Sequence, residues 1–366
     1  MILSGPRQRF SDTSANIYGA HLRIPDTPRV RQLLGMVGRD EPLRVASTVT
    51  GHSSGSPDGD DVIVIGGTGY VGASLCNHLV DLGHRVIATS RSANPDFDRA
   101  GIEHLRLEVL DLEASPMRAG GRVAIICPWV PLVGSAPPPD WISPLLERLA
   151  DTGTTTVVYF STIWVYGDQL AGRLTEESPT GSTNPYASAH LDNESRLTRL
   201  ADRHGLDIVI LRMSNLIGAD PFFRCRSKIA FAHELTAMAV NDRQIVLRSP
   251  PDTRRNLLPR SLLHHDLTAV LDRPVETGRV STFNVGGPDT TTMLELANLI
   301  ARVVEQHDGQ PVRVEHQAAS DGPQTFDLDT DSIRSLAGAG PDDLTRELSM
   351  ILTDLTHGRC QTMSPS

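Results

Sequence analysis

Lysine is nearly absent from this chain: Lys228 is the only one in 366 residues, and positive charge is carried almost wholly by arginine. Any chemistry that needs a lysine elsewhere is excluded. Cysteine is sparse as well. Cys76, Cys127, Cys225 and Cys360 stand far apart with no C-x-x-C pair, which argues against a disulfide framework or a structural zinc site. No apolar run reaches the roughly 18 residues that a membrane-spanning helix needs, so no membrane partner is expected. Met1-Ile2-Leu3 gives way at once to polar and basic residues, without the apolar core of a signal peptide. A soluble cytoplasmic protein is the simplest reading. Excess positive charge is missing too: the formal net charge is −10, which argues against a nucleic-acid partner. A local arginine cluster can still hold a small anionic ligand.

Residues 1–60 differ in composition from the rest of the chain. They are rich in Arg, Pro, Ser and Gly and end in Gly51-His52-Ser53-Ser54-Gly55-Ser56-Pro57, a linker by composition. They are expected to be a disordered leader, with 29–38 as a short helix; alternatively, translation starts downstream, for example at Met36. From Asp61 the pattern becomes strand–helix alternation. Val62-Ile63-Val64-Ile65 is a short continuous apolar run, as in a strand buried on both faces. Val71, Leu75, Leu79 and Leu82 then recur at helical spacing, and Gly83 supplies a stop. Further strands are read near 84–89, 103–107, 122–127, 155–161, 206–212 and 281–285. Helices are read near 141–151, 186–204, 227–239 and 290–306, with an Arg-rich loop at 254–260. This rhythm predicts a parallel sheet wrapped by helices on both faces.

Between the first strand and the first helix lies Gly66-Gly67-Thr68-Gly69-Tyr70-Val71-Gly72. The first glycine lets the chain turn off the strand, the second lets backbone approach a pyrophosphate, and the third lets the helix pack closely. Free N–H groups and the positive end of the helix dipole then face the phosphates. Gly66, Thr68, Gly69, Tyr70, Val71 and Gly72 are therefore candidate cofactor ligands. At the end of the second strand stands Thr89-Ser90-Arg91, where an NAD enzyme usually carries an acidic residue for the ribose hydroxyl. A guanidinium at Arg91 can instead hold a 2′-phosphate. NADP is favoured, with NAD as the alternative.

The G-x-x-G-x-x-G spacing resembles the extended short-chain dehydrogenase/reductase family, also called the NAD-dependent epimerase/dehydratase family. Asp111-Leu112, Ser161-Thr162-Ile163-Trp164-Val165-Tyr166-Gly167, Asn184-Pro185-Tyr186 and Leu211-Arg212-Met213-Ser214-Asn215-Leu216-Ile217-Gly218 resemble its motifs through about residue 290. The resemblance implies an α/β fold: a Rossmann-type doubly wound parallel sheet with a smaller C-terminal substrate-binding lobe. The expected division is 61–213 for the dinucleotide-binding part, 214–356 for the interleaved smaller lobe, and 357–366 as a polar tail. It also implies that Asp111 and Leu112 meet the adenine, and that Asn215 and Arg255 meet the substrate. The substrate is then a nucleotide-linked sugar, and homodimers are common in this family.

The family's reaction centre is a Ser or Thr, a Tyr, and a Lys four residues later. Thr162 and Tyr186 fill the first two places; the third is His190. A lysine is charged at pH 7, whereas a histidine with a reference pKa of about 6.5 is mostly neutral. Three readings are open. His190 is a protonatable substitute, or the chemistry barely needs a tyrosinate, or turnover is lost and cofactor binding kept. Ile126-Cys127-Pro128-Trp129 also departs from the family's small segment under the cofactor, with Cys127 read as a core residue. His264, His265 and Asp266 are adjacent on one helix and point different ways, so no metal is expected. The leading functional reading is an oxidoreductase, a keto-sugar (deoxysugar) reductase. A sugar epimerase or dehydratase with retained NAD, and an NADP-binding sensor or scaffold, are the alternatives.

Overall fold

The computed structural model describes residues 61–91, 99–112, 121–128, 139–221, 230–317 and 322–356. The expectations for residues 1–60, Trp129, Lys228 and 357–366 lie outside the described residues. The described residues fall in one compact unit.

Its strands are β1 (Asp61–Ile65), β2 (Arg85–Ser90), β3 (Ile102–Arg106), β4 (Val123–Ile126), β5 (Thr156–Thr162), β6 (Ala171–Leu174), β7 (Asp207–Met213), β8 (Asn215–Ile217), β9 (Gln244–Leu247), β10 (Arg254–Pro259), β11 (Val280–Val285), β12 (Thr290–Thr292), β13 (Arg313–His316) and β14 (Thr325–Leu328). The helices are α1 (Tyr70–Asp81), α2 (Ile142–Asp151), α3 (Pro185–His204), α4 (Phe231–Asp242), α5 (Arg260–Asp272), α6 (Met293–Asp308), α7 (Asp331–Ala337) and α8 (Leu344–Thr356). Seven strands form the main sheet in the order β11-β7-β5-β4-β1-β2-β3, and every neighbouring pair is parallel.

The apolar run of β1 explains why helices cover both faces. Val62 and Val64 point to one side and pack with Leu75 and Leu79 of α1. Ile63 and Ile65 point to the other and pack with Ile142, Leu145 and Leu149 of α2 and Leu197 of α3. A period-2 strand that is apolar at every position has no polar face to offer water. The chain departs from β1 toward β2 on one side and returns as β4 on the other. That reversal leaves a crevice at the carboxyl ends of the two strands, where ligands of such sheets bind.

The later residues build a separate cluster from α4, β9, α6 and α8, including Leu235, Ile245, Ile300 and Ile351. Small separate sheets accompany it: β8 runs parallel to β10, β10 antiparallel to β12, and β14 parallel to β6. The Arg-rich stretch expected as a loop at 254–260 is therefore strand β10. Its basic residues concealed a continuous buried run, with Asn256, Leu257 and Leu258 inside. Helix α5 follows immediately from Arg260, placing His264, His265 and Asp266 in the helix interior.

Candidate functional site

The glycine-rich loop after β1 is shaped by backbone crowding. Gly66 has φ +78°, and a Cβ there would lie 2.5 Å from the Cys127 carbonyl oxygen at the end of β4. A Cβ on Gly72 would come within 2.3 Å of the Gly66 carbonyl oxygen, closer than any side chain tolerates. So Gly72 lets α1 pack on the loop itself. Gly67, which sequence reasoning passed over, has the same need: its Cβ would meet Ala88 of β2 at 2.9 Å. Gly69 is less crowded, 3.3 Å from the Gly66 oxygen, and is the N-cap of α1 with no side chain bonding the first-turn amides. Those amides and the dipole end are what an anionic pyrophosphate requires. The residues present fit a dinucleotide.

Tyr70 turns toward the C-terminal residues. Its hydroxyl donates to the Gly218 carbonyl at 2.6 Å, and burial pushes its pKa up to about 12. Val71 packs at the edge of the α1 cluster, and Thr68 stays half-buried. At the end of β2, Thr89 is buried and its hydroxyl accepts from the Gly66 amide at 3.3 Å. Arg91 is exposed, and its carbonyl accepts from Arg106 Nε at 3.2 Å. The register pairing Ser90 with Arg106 brings two guanidinium-bearing residues to this corner; no sequence motif announced Arg106. Asp111 is exposed after β3, while Leu112 is buried with Leu107 and Ile65. Cys127 is half-buried after β4 and packs at the edge of the α1 cluster, and desolvation pushes its thiol up.

Thr162 closes β5 and Tyr186 opens α3. Thr162 caps a 3₁₀ turn at Ile163–Tyr166, its hydroxyl accepting from the Trp164 amide at 3.3 Å. Asn184 caps α3 by accepting from the Tyr186 amide at 2.9 Å, with Pro185 in the first turn. Ala187 packs with Ile163 and Trp164, so the two elements meet.

His190 is 2% exposed. Its ring lies edge-on to Tyr186, centroids 4.7 Å apart. Nδ1 is 2.9 Å from the Tyr159 hydroxyl, which also accepts from Asn193 Nδ2 at 3.0 Å. Nε2 is buried without a hydrogen-bond partner. Burial pushes the imidazole pKa down to about 3, so the ring is neutral at physiological pH. A protonatable substitute for lysine would need the opposite environment, a carboxylate beside the ring or access to water.

The third helical turn carries groups that motif matching missed. Glu194 is buried and accepts two bonds from Arg212 of β7, at 2.8 and 3.3 Å, and one from the Ser161 hydroxyl. Arg212 Nη1 also donates to the Tyr166 hydroxyl at 3.1 Å, and that hydroxyl donates to Asn284 Oδ1 of β11 at 2.6 Å. One signal was available: His190, Asn193 and Glu194 share spacing with the buried Leu197 and Ala201, polar residues on an otherwise apolar face.

The expected substrate residues are differently placed. Asn215 is buried, and its amide donates to the Asn256 carbonyl at 2.9 Å. Arg255 lies over the Trp164 ring at 5.8 Å and donates to Gln324 Oε1 at 2.9 Å. No carboxylate among the described residues pairs with it, and burial lowers its pKa to about 10. A largely desolvated guanidinium of this kind favours an incoming anion. His264 turns to Ser74, whereas His265 faces Asp266 and Asp266 pairs with Arg334, so the three share no common point.

Comparison with known proteins gives this geometry its context. Residues 62–117 and 143–258 match the NAD dependent epimerase/dehydratase family. UDP-glucose 4-epimerase from Azospirillum brasilense is 30% identical over 217 residues, covering 56% of this chain and 61% of that protein. The Streptomyces lividans UDP-glucose 4-epimerase is 28% identical over 177 residues, 43% of this chain and 53% of the relative. The chain thus spans between half and two thirds of the length of these curated relatives. In fold, it resembles UDP-glucuronic acid 4-epimerase from Bacillus cereus in complex with NAD, with TM-score 0.66, 18% identity and coverage of 81% and 99% of the two chains. UDP-N-acetylglucosamine 4-epimerase from Methanobrevibacter ruminantium M1 gives 0.69 at 16% identity, covering 82% and 99%. With the glycine cradle, the parallel sheet and these matches together, residues 62–117 and 143–258 are identified with the NAD dependent epimerase/dehydratase family.

Proposed function

We propose that this protein is an oxidoreductase that uses NADP to reduce a keto group on a nucleotide-linked sugar. The observation that carries this reading is the buried, neutral His190 beside Tyr186. A lysine there would bring a positive charge that favours tyrosinate, the base needed to start by oxidising an alcohol. His190 brings none, which suits Tyr186 to giving a proton, the step that completes reduction of a ketone. When bound, the nicotinamide supplies the hydride. Thr162 orients the substrate oxygen, and Tyr186 delivers its hydroxyl proton to that oxygen.

The Gly66–Gly72 loop, with Thr68, Gly69, Tyr70 and Val71, would hold the pyrophosphate through backbone N–H groups. Asp111 and Leu112 would border the adenine, and Asn215 and Arg255 the substrate, Arg255 by its desolvated charge. Arg91, with Arg106 beside it, supports NADP over NAD. Replacing Arg91 with Asp is expected to weaken NADPH relative to NADH by about tenfold or more, as loss of a charge-assisted contact implies. Equal effects on both cofactors, measured by fluorescence titration, would remove the NADP preference.

The names of the relatives favour a second reading, a nucleotide-sugar 4-epimerase that keeps NAD. The two are separated by stoichiometry. A reductase consumes one NADPH per keto-sugar; an epimerase purifies with oxidised cofactor and interconverts sugars with no net consumption. NADPH binding without turnover of either kind would leave a sensor or scaffold.

A further inference from the structure

Asn193 Nδ2 is a donor only, so at 3.0 Å the Tyr159 oxygen accepts from it. The hydrogen of that hydroxyl is free to point at His190 Nδ1, 2.9 Å away. An Nδ1 that accepts carries no hydrogen, so the imidazole hydrogen sits on Nε2. Yet Nε2 is buried with no polar partner. A buried donor without any acceptor is rare, and an aromatic face is one of the few acceptors not counted as polar. Tyr186 is the aromatic ring at hand: it stands at 70° to the imidazole, centroids 4.7 Å apart.

We propose that Asn193 and Tyr159 are positioning residues that lock His190 as the Nε2–H tautomer and set that N–H against the Tyr186 ring. Residue 190 thereby fixes the orientation of Tyr186 with a neutral edge, in place of charging it. Three side chains from β5 and α3 hold the arrangement, and all three are buried: Tyr159, His190 and Asn193 are 0%, 2% and 1% exposed. The nearest buried charge, Glu194, is engaged by Arg212. This inference rests on the assignment of Tyr186 as proton donor for its catalytic meaning, though not for its geometry.

The test is nitrogen-15 NMR of the histidine-labelled full chain, with the His190 signals assigned by their loss in His190→Gln. Hydrogen on Nε2, a bare Nδ1, and no titration between pH 8 and pH 5 are expected. The Nε2–H proton should be displaced upfield by the Tyr186 ring current and move back in Tyr186→Leu. In Tyr159→Phe the hydrogen should redistribute toward Nδ1, and turnover should fall about tenfold with cofactor KM unchanged, the scale of one lost positioning bond. Hydrogen on Nδ1 in the parent, or a proton resonance unmoved in Tyr186→Leu, would overturn the proposal; neither reading depends on Tyr159→Phe folding. Parent-like tautomer and turnover in a folded Tyr159→Phe would remove Tyr159 from it. The expected spectra without keto-sugar reduction would sink the functional reading and leave the tautomer lock standing.

Discussion

At the scale of single residues, the glycine cradle and the imidazole at position 190 illustrate two kinds of constraint. Gly72 is held by contact distance: an added methyl would sit 2.3 Å from the Gly66 oxygen, with backbone on both sides. Gly72→Ala is expected to lower stability by about 1–3 kcal/mol, as overpacking does, and to weaken dinucleotide binding by displacing α1. Titration calorimetry and urea denaturation would check both; unchanged cofactor affinity would show that the loop yields. His190 is held by desolvation. Its folded-state pKa of about 3 lies below the unfolded value near 6.5, so folding is favoured fully above pH 6.5 and loses this contribution as pH falls toward 3. His190→Phe should flatten the decline in stability between pH 7 and pH 5 by about 2 kcal/mol, read from urea melts at the two pH values.

At the scale of elements, α3 is fastened to the sheet by ionic and polar bonds as well as by apolar packing. Glu194 and Arg212 are 8% and 10% exposed and lie 2.8 Å apart. Breaking such a pair strands a buried charge, so Arg212→Met should destabilise by about 3–5 kcal/mol, and the double variant Arg212→Met with Glu194→Leu by much less. Equal losses in both would mean that the pair contributes packing alone. Helix α6 offers a smaller case: Thr292 and Glu295 form a reciprocal capping box, and Thr292→Ala should cost about 1 kcal/mol. The elements themselves were largely legible. The run Val62–Ile65, the helical spacing of Leu75 and Leu79, and the capping sequence Asn184-Pro185 all declare their structure locally. Strand β10 did not, because its arginines masked a short buried run that only pairing with β8 and β12 makes plain. Of the site, the crowding of the glycine loop was legible from spacing, while Tyr186 was expected from the family resemblance. Tyr159 and Arg106 were not, since the groups they meet come from distant parts of the chain, whereas Glu194 showed only as a polar residue on the apolar face of α3.

At the scale of the whole molecule, charge burial sets opposing responses to acid. His190 and His264 are pushed down to about 3 and His233 to about 4 by burial, and each favours folding less as pH drops below about 6.5. Glu234, Asp266 and Glu347 are pushed up by burial, so protonating them relieves the folded state as pH falls. The histidines titrate first on the way down from neutrality. Stability is therefore expected to fall between pH 7 and pH 5 with net proton uptake on unfolding, measurable by melting in buffers of different ionisation enthalpy. Proton release over that interval would show the carboxylates to dominate.

The parallel pairing of β7 with β11 carries a consequence for how the protein is made. Residues 207–213 wait on 280–285 for their outer neighbour, and β8, β9, β10 and α5 are synthesised between them. A ribosome adding about 5–20 residues per second thus exposes the β7 edge for several seconds before the strand that covers it emerges. Nascent chains stalled at residue 275 should be more readily cut by protease and captured by chaperones than chains stalled past the tail. During its own translation, the seven-stranded sheet stays open at one edge long after its first strand has emerged.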